Sequence, residues 1–240
     1  MYLPNLKIDA KDLPEKVIVC GDPERAKLIA EDLDDSKLLA QNREYHTYAG
    51  FYQGEYIAVV SHGVGSPGAA VCFEQLIQGG VKYLIRVGTA GSYQKEVKPG
   101  SLVISTAAVR RDGLSSQIVP EGFPAVADLT LTNRLIELSK SQSIDSHHGI
   151  TLTLDVFYQG AIAFPHEEYK NAGVLAVEME IASLFTIASI RGVRAAAIVA
   201  IDGYADADLA EDYNPHTDQM KQAIEMEKKI ALEALTNTDK

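Results

Sequence analysis

Tryptophan is absent from this chain, and cysteine occurs only as Cys20 and Cys72. Two thiols, each embedded in an apolar run, do not make a disulfide framework, and no metal-ligand spacing of Cys and His accompanies them. Positive charge is scarce as well: 22 Lys and Arg stand against 33 Asp and Glu, a formal net charge of −11. That balance argues against binding to a nucleic-acid backbone or an anionic membrane, so an anionic ligand would need a local pocket of arginines. No apolar run reaches the roughly 20 residues of a membrane span. The opening MYLPNLKIDAKDLPEK lacks the apolar core of a signal peptide. Internal repeats, low-complexity stretches and linkers are missing too. These absences lead to the expectation of one soluble, cytoplasmic domain over residues 1–240.

What is present is an alternation of apolar strands and helices. Lys16–Cys20 reads as a buried strand stopped by Gly21-Asp22-Pro23, with Asp22 as N-cap of a helix running through Leu33. The run IAVVS follows, ending at Ser61-His62-Gly63-Val64-Gly65. Pro67 then opens a helix closed by Gly79-Gly80. Further strands are expected at Val81–Ser92, Leu102–Ser105, Val174–Val177 and Ala195–Ile201. Helices are expected near Thr132–Ser141, over an amphipathic Met179–Ile190, and over His216–Leu235, with Met220, Ile224, Ala231 and Leu235 on one face. Alternation with nearly continuous apolar strands implies an α/β fold with a largely parallel sheet covered on both faces. Ligands of such sheets bind beyond the carboxyl ends of the strands.

The strand ends carry the candidate chemistry. Arg86, before Gly88-Thr89-Ala90-Gly91-Ser92, fits an oxyanion held by guanidinium and backbone amides, or equally a plain strand-to-turn arginine. Arg25 stands in the first turn of a helix, beside free N–H groups; Arg43 lies in the turn Asn42-Arg43-Glu44-Tyr45. Either could be an ordinary solvated side chain. Glu178 and Glu180 flank Met179, and a carboxylate placed so can hold a ribose diol or simply favour a helix start. Phe157-Tyr158 offers an aromatic face to a base, or belongs to the core. Asp202 follows an apolar strand and precedes Gly203, a place where burial can raise a carboxyl pKa and make a general acid. The acidic stretch Tyr204–Pro215 has the composition of a lid.

In order, the chain contains GDPER, NREY, SHGVGSPG, IRVGTAGS, FPAVAD, DVFY, AVEMEIASLF and IDG. Together these resemble the nucleoside phosphorylase family, in the hexameric branch that holds uridine and purine nucleoside phosphorylases. The resemblance runs nearly end to end. It implies an α/β fold with a central mixed, partly barrel-like sheet flanked by helices. It also implies cleavage of a nucleoside by inorganic phosphate to free base and α-ribose-1-phosphate, with no cofactor. By matching position, Gly21, Arg25, Arg86 and Thr89 would bind phosphate, with Arg43 supplied by a neighbouring subunit of a hexamer built as a trimer of dimers. Met179, Glu180 and Val64 would line the ribose, Phe157 the base, and Asp202 would protonate a purine at N7.

Two positions depart from the family pattern. Asn5 stands where many members donate a histidine across the interface to the ribose 5′-hydroxyl. Ala161 and Ala163 stand where uridine phosphorylases read uracil with glutamine and arginine. RRDG, FPAVAD and Thr89 lean the other way, toward uridine. The missing uracil readers and Asp202 favour a purine nucleoside, with uridine phosphorolysis as the alternative. A nucleosidase should lack the three arginines, and a non-catalytic nucleoside-binding protein should have lost Asp202 or Glu180.

Overall fold

The computed structural model describes residues 1–205, 217–236 and 238. A short ladder of β1 (Tyr2–Leu3) with β2 (Ile8–Asp9) precedes the main sheet. The chain continues through β3 (Lys16–Cys20), α1 (Pro23–Ala30), β4 (Asp34–Asn42), β5 (Tyr45–Tyr52), β6 (Glu55–Ser61) and α2 (Ser66–Gln78). Next come β7 (Tyr83–Ser92), β8 (Leu102–Arg111), α3 (Gly113–Ile118), β9 (Ala125–Val126), α4 (Leu129–Lys140) and β10 (Ser146–Leu154). The last elements are α5 (His166–Asn171), β11 (Ala176–Glu178), α6 (Ile181–Arg191), β12 (Arg194–Tyr204) and α7 (Asp218–Leu235).

The sheet order is β11-β10-β8-β12-β7-β3-β6-β5-β4, and β11 also pairs with β7. That extra pairing closes β7, β12, β8, β10 and β11 into a five-strand barrel, from which β3, β6, β5 and β4 extend as an open arm. The directions around this barrel are mixed. β12 runs parallel to β7 but antiparallel to β8, and β11 runs parallel to β10 but antiparallel to β7. The largely parallel sheet expected from alternation is therefore corrected to the mixed, partly barrel-like one the resemblance implied. The antiparallel β4–β5–β6 arm and the β12–β8 and β11–β7 pairings carry the difference; β4, DDSKLLAQN, is too polar to read as a buried strand, and so is β10, SHHGITLTL, although both its pairings are parallel.

Two apolar clusters cover the sheet's faces. One joins α2 and α6 to β3, β7 and β12; the other joins α1, α4 and α7 to the alternate residues of the same strands. In β3, Val17 and Val19 enter the first cluster while Ile18 and Cys20 enter the second. This follows from the two-residue period of a strand. Helix α6 is not amphipathic: every residue from Ile181 to Ala188 is buried. Each large aliphatic or aromatic side chain buried there contributes about 1.5–3 kcal/mol, which holds the α6 N-terminus firmly against the site. Other boundaries shift modestly. Helix α1 stops at Ala30 rather than Leu33, α4 starts at Leu129 behind the Asp128 cap, and α7 starts at Asp218 behind Thr217. The N-cap role of Asp22 holds, its side chain accepting from Glu24 N–H at 2.9 Å.

Candidate active site

Arg86 sits in the middle of β7 and is only 4% exposed. Two residues on, Gly88 lies on the same face, and a methyl group there would stand 2.1 Å from Nη1 of Arg86. The missing side chain is what lets the guanidinium fold over the strand. Its Nη2 pairs with Glu180, and with Oε2 of Glu178 at 3.1 Å. Burial opposes the charge on Arg86, but the two glutamates more than compensate and raise its pKa. Its Nε is buried and has no hydrogen-bond partner among the described residues. Nη2 is thus committed to carboxylates and Nη1 reaches the Val87 carbonyl only at 3.5 Å, while the Nε donor is unspent among the described residues.

The two glutamates are held differently. Glu178 ends β11 and accepts from the Thr153 hydroxyl at 2.6 Å, Glu180 N–H at 2.7 Å and Ile181 N–H at 2.9 Å. It therefore caps the start of α6. Burial pushes its pKa up to about 7 against the pull of Arg86. Glu180 accepts from Gly65 N–H at 2.6 Å, while the Ser66 hydroxyl donates to the Met179 carbonyl at 3.0 Å. Gly65 is the N-cap of α2 at φ +92°, so the positive end of that helix faces Glu180. Burial resists ionisation of Glu180, but Arg86 overcomes it and its pKa is lowered. The outcome is a buried, ionised carboxylate next to a second one that titrates near neutrality.

His62, at the end of β6, completes the floor. Its Nδ1 lies 2.9 Å from the Gly63 carbonyl. A carbonyl only accepts, so Nδ1 carries the proton and Nε2 is a buried acceptor without a partner among the described residues. Burial pushes its pKa down to about 4, outweighing the attraction of Glu180. A Cβ on Gly21 would come within 3.9 Å of the His62 ring, which sets Gly21 beside it. Arg25, half-buried in the first turn of α1, makes no hydrogen bond or ion pair among the described residues. Cys20 feels both Arg25 and Arg86, which puts the two arginines at one end of the sheet. Thr89, in β7, is half-buried opposite Ala200.

Asp202 belongs to β12, paired along β7. The register runs Ile201↔Ala90 and then Gly203↔Gly91, so Asp202 is the extra residue of a β-bulge. Bulges re-aim a side chain at a strand end and are common beside active sites. Next to the cluster in sequence, Val64 is 79% exposed and Met179 is half-buried; Phe157, in the segment after β10, is 45% exposed and edge-on to Tyr158 at 5.2 Å. Asn5 and Arg43 are exposed and meet through Asn42, whose side chain donates to the Asn5 carbonyl at 2.8 Å. Arg43 adopts φ +54° in the β4–β5 turn. The stretch assigned as a lid lies outside the described residues from 206 onward.

The family model described as the phosphorylase superfamily matches residues 15–236. A purine nucleoside phosphorylase of Plasmodium falciparum is 37% identical over 238 residues, covering 97% of this chain and 95% of that protein. A uridine phosphorylase of Thermococcus kodakarensis is 39% identical over 202 residues, covering 79% of this chain and 73% of that protein. The crystal structure of a Toxoplasma gondii purine nucleoside phosphorylase in complex with immucillin-H superposes with a TM-score of 0.93. It is 33% identical to this chain, and the match covers 97% of this chain and 94% of that one. The chain belongs to the nucleoside phosphorylase family. Within this nucleoside phosphorylase fold, sequence reasoning missed Thr153, the Gly65 amide and Glu227 of α7, and it noted His62 only as a strand-end residue. Thr153, which donates to Glu178 and accepts from Ala182 N–H, and Gly65, which donates to Glu180, act through hydrogen bonds across the fold that no local pattern announces.

Proposed function

We propose that this member of the nucleoside phosphorylase family cleaves purine ribonucleosides with inorganic phosphate, releasing the base and α-ribose-1-phosphate. Family membership carries the coarse activity, pentosyl transfer from a nucleoside to phosphate. The base preference rests on one observation: Asp202 is set out of register by the bulge at the carboxyl end of β12. In this reading Arg25, Arg86, Thr89 and the Gly21 backbone hold the phosphate, joined by Arg43 of a neighbouring subunit. Glu180 accepts from the ribose 2′ and 3′ hydroxyls beside Met179 and Val64, and Phe157 faces the base. A phosphate oxygen forms the new bond to C1′ as the glycosidic bond breaks. The bonding pair passes to the base, which takes the Asp202 proton at N7. Positioning and charge stabilisation supply most of the rate, and the general acid adds a share of roughly 100-fold to 10,000-fold.

Asn5 and Arg43 support a shared site, because both are exposed and lie on one surface joined by the Asn42–Asn5 bond. That placement suits donation to a neighbour in a homo-oligomer, the hexamer expected of this branch. The deciding experiment is a panel of inosine, guanosine, adenosine and uridine with and without phosphate. Purine turnover that requires phosphate is expected. Turnover of uridine alone would overturn the purine assignment, and base release undiminished without phosphate would make the protein a nucleosidase.

A further inference from the structure

Glu227 has no place in the chemistry above, yet its side chain is 0% exposed and neither carboxylate oxygen has a side-chain hydrogen-bond partner among the described residues. It projects from α7, whose neighbours in the core are β12, β7, β3 and α4. From α1 and β7 it is acted on by the charges of Arg25 and Arg86, the two arginines assigned to phosphate within one chain. From β7 and β12 the Gly88 and Ala200 amides lie on its side and favour its ionised form. From β3 the Cys20 thiol faces it, and burial pushes that thiol up to about 12, so it stays neutral. Arg134 of α4 is engaged at the far end of α7, with the Glu233 carbonyl and Thr236. Lys228, next in sequence, turns away to Asp32 and Glu225. A buried carboxyl group that meets two backbone amides and no side-chain donor, lodged near two arginines, costs stability rather than adding it.

We propose that Glu227 is a positioning residue of the anion pocket, which sets through its own protonation how much positive charge Arg25 and Arg86 present to phosphate. The inference rests on the phosphorylase reading given above. Protonated, Glu227 leaves both guanidinium charges to the anion; ionised, it cancels one of them and adds a like charge behind the phosphate. Burial pushes its pKa up to about 8, opposed by Arg25. Near neutral pH the neutral form therefore prevails. Linkage then requires that anion binding favour the proton, and that affinity fall as pH rises through this range.

Sulfate is the probe, because its charge is constant between pH 7 and 9. Its inhibition constant against phosphate is measured across that range for the intact wild type and for Glu227→Gln, the neutral isostere. Sulfate should bind the wild type about tenfold less tightly at pH 9 than at pH 7, the change expected when binding needs a proton held with a pKa near 8. The variant should match the wild type at pH 7 and lose most of that dependence. Glu178 also faces Arg86 but is present in both proteins, so the difference between them isolates Glu227. Equal pH slopes would overturn the inference. Should the variant fail to fold, calorimetry of the wild type at pH 8 in buffers of different ionisation heat serves instead. Uptake of about half a proton per sulfate bound is expected, and no uptake refutes the proposal. A wild type without phosphate-dependent base release would fail the phosphorylase reading itself; one that phosphorolyses nucleosides but shows equal slopes fails only the role of Glu227.

Discussion

Gly65 donates its backbone N–H to Oε1 of Glu180 at 2.6 Å, joining residues 115 positions apart. The bond ties the start of α2 to the segment before α6, and with Arg86 on the other oxygen it fixes the carboxylate in one orientation. Glu180→Gln keeps the shape but removes the charge. Hydrogen bonds to a charged group contribute about 1.5–3 kcal/mol each, so losing two to a ribose diol should lower kcat/KM for the nucleoside by roughly 100-fold or more. The phosphate KM should not rise, because Arg86 has lost a competitor. Steady-state kinetics with each substrate varied in turn provide the check, and an unaltered nucleoside kcat/KM removes Glu180 from the ribose site.

Asp202→Asn tests the general acid. Asparagine can still hydrogen-bond to a purine but cannot deliver a proton, so turnover of inosine and guanosine should fall about 100-fold or more. The nucleoside KM should change far less. Parallel measurement with aspartate and asparagine enzymes on both purines is sufficient; equal kcat values would take Asp202 out of the mechanism.

Much of the candidate site was legible in the sequence because its parts lie at strand ends, where apolar runs break into small or charged residues. Asp22 as N-cap, Arg86 before its glycines and Asp202 at an apolar strand's end were all visible as local patterns. The barrel was harder, since closure depends on β11 pairing with both β10 and β7, a three-residue strand with no distinct signature. Glu178 and Glu180 were legible as a pair but not as partners of Arg86, nor was the distinction between a strand-end cap and an ionised carboxylate. Glu227 gave no signal: in EMEKK it resembles any solvated helix acid, and only packing buries it.

Gly88 owes its identity to the side chain above it. Its φ is ordinary, so alanine is acceptable to the backbone, but the added methyl would stand 2.1 Å from Nη1 and 3.0 Å from Cζ of Arg86. Gly88→Ala must therefore displace the guanidinium. Loss of one charge-assisted contact to phosphate should raise its KM by about tenfold to 100-fold, with circular dichroism and oligomer size unchanged. Phosphate titration at saturating nucleoside measures this. A wild-type KM in a folded Gly88→Ala protein would show that Arg86 is not a phosphate ligand.

His62 gives the fold an acid-sensitive element. Its imidazole has an ordinary value near 6.5 when unfolded and is pushed down to about 4 by burial in the native protein. Between these values the unfolded chain binds a proton that the native one refuses, so stability is full above pH 6.5 and declines as pH falls toward 4. From pH 7 to pH 5 the imidazole alone should cost about 2 kcal/mol, at 1.36 kcal/mol per pKa unit. Glu178 and Glu227 act in the opposite direction, since their raised values favour the fold at lower pH. A wild-type profile by itself would blend these contributions. His62→Gln separates them, because glutamine keeps a donor for the Gly63 carbonyl and cannot titrate. Urea unfolding of both proteins at pH 7 and pH 5 should show the wild type losing about 2 kcal/mol more than the variant over that interval. Equal losses would mean that His62 is protonated in the native state, and that its Nε2 is a donor rather than the free acceptor the Gly63 bond requires.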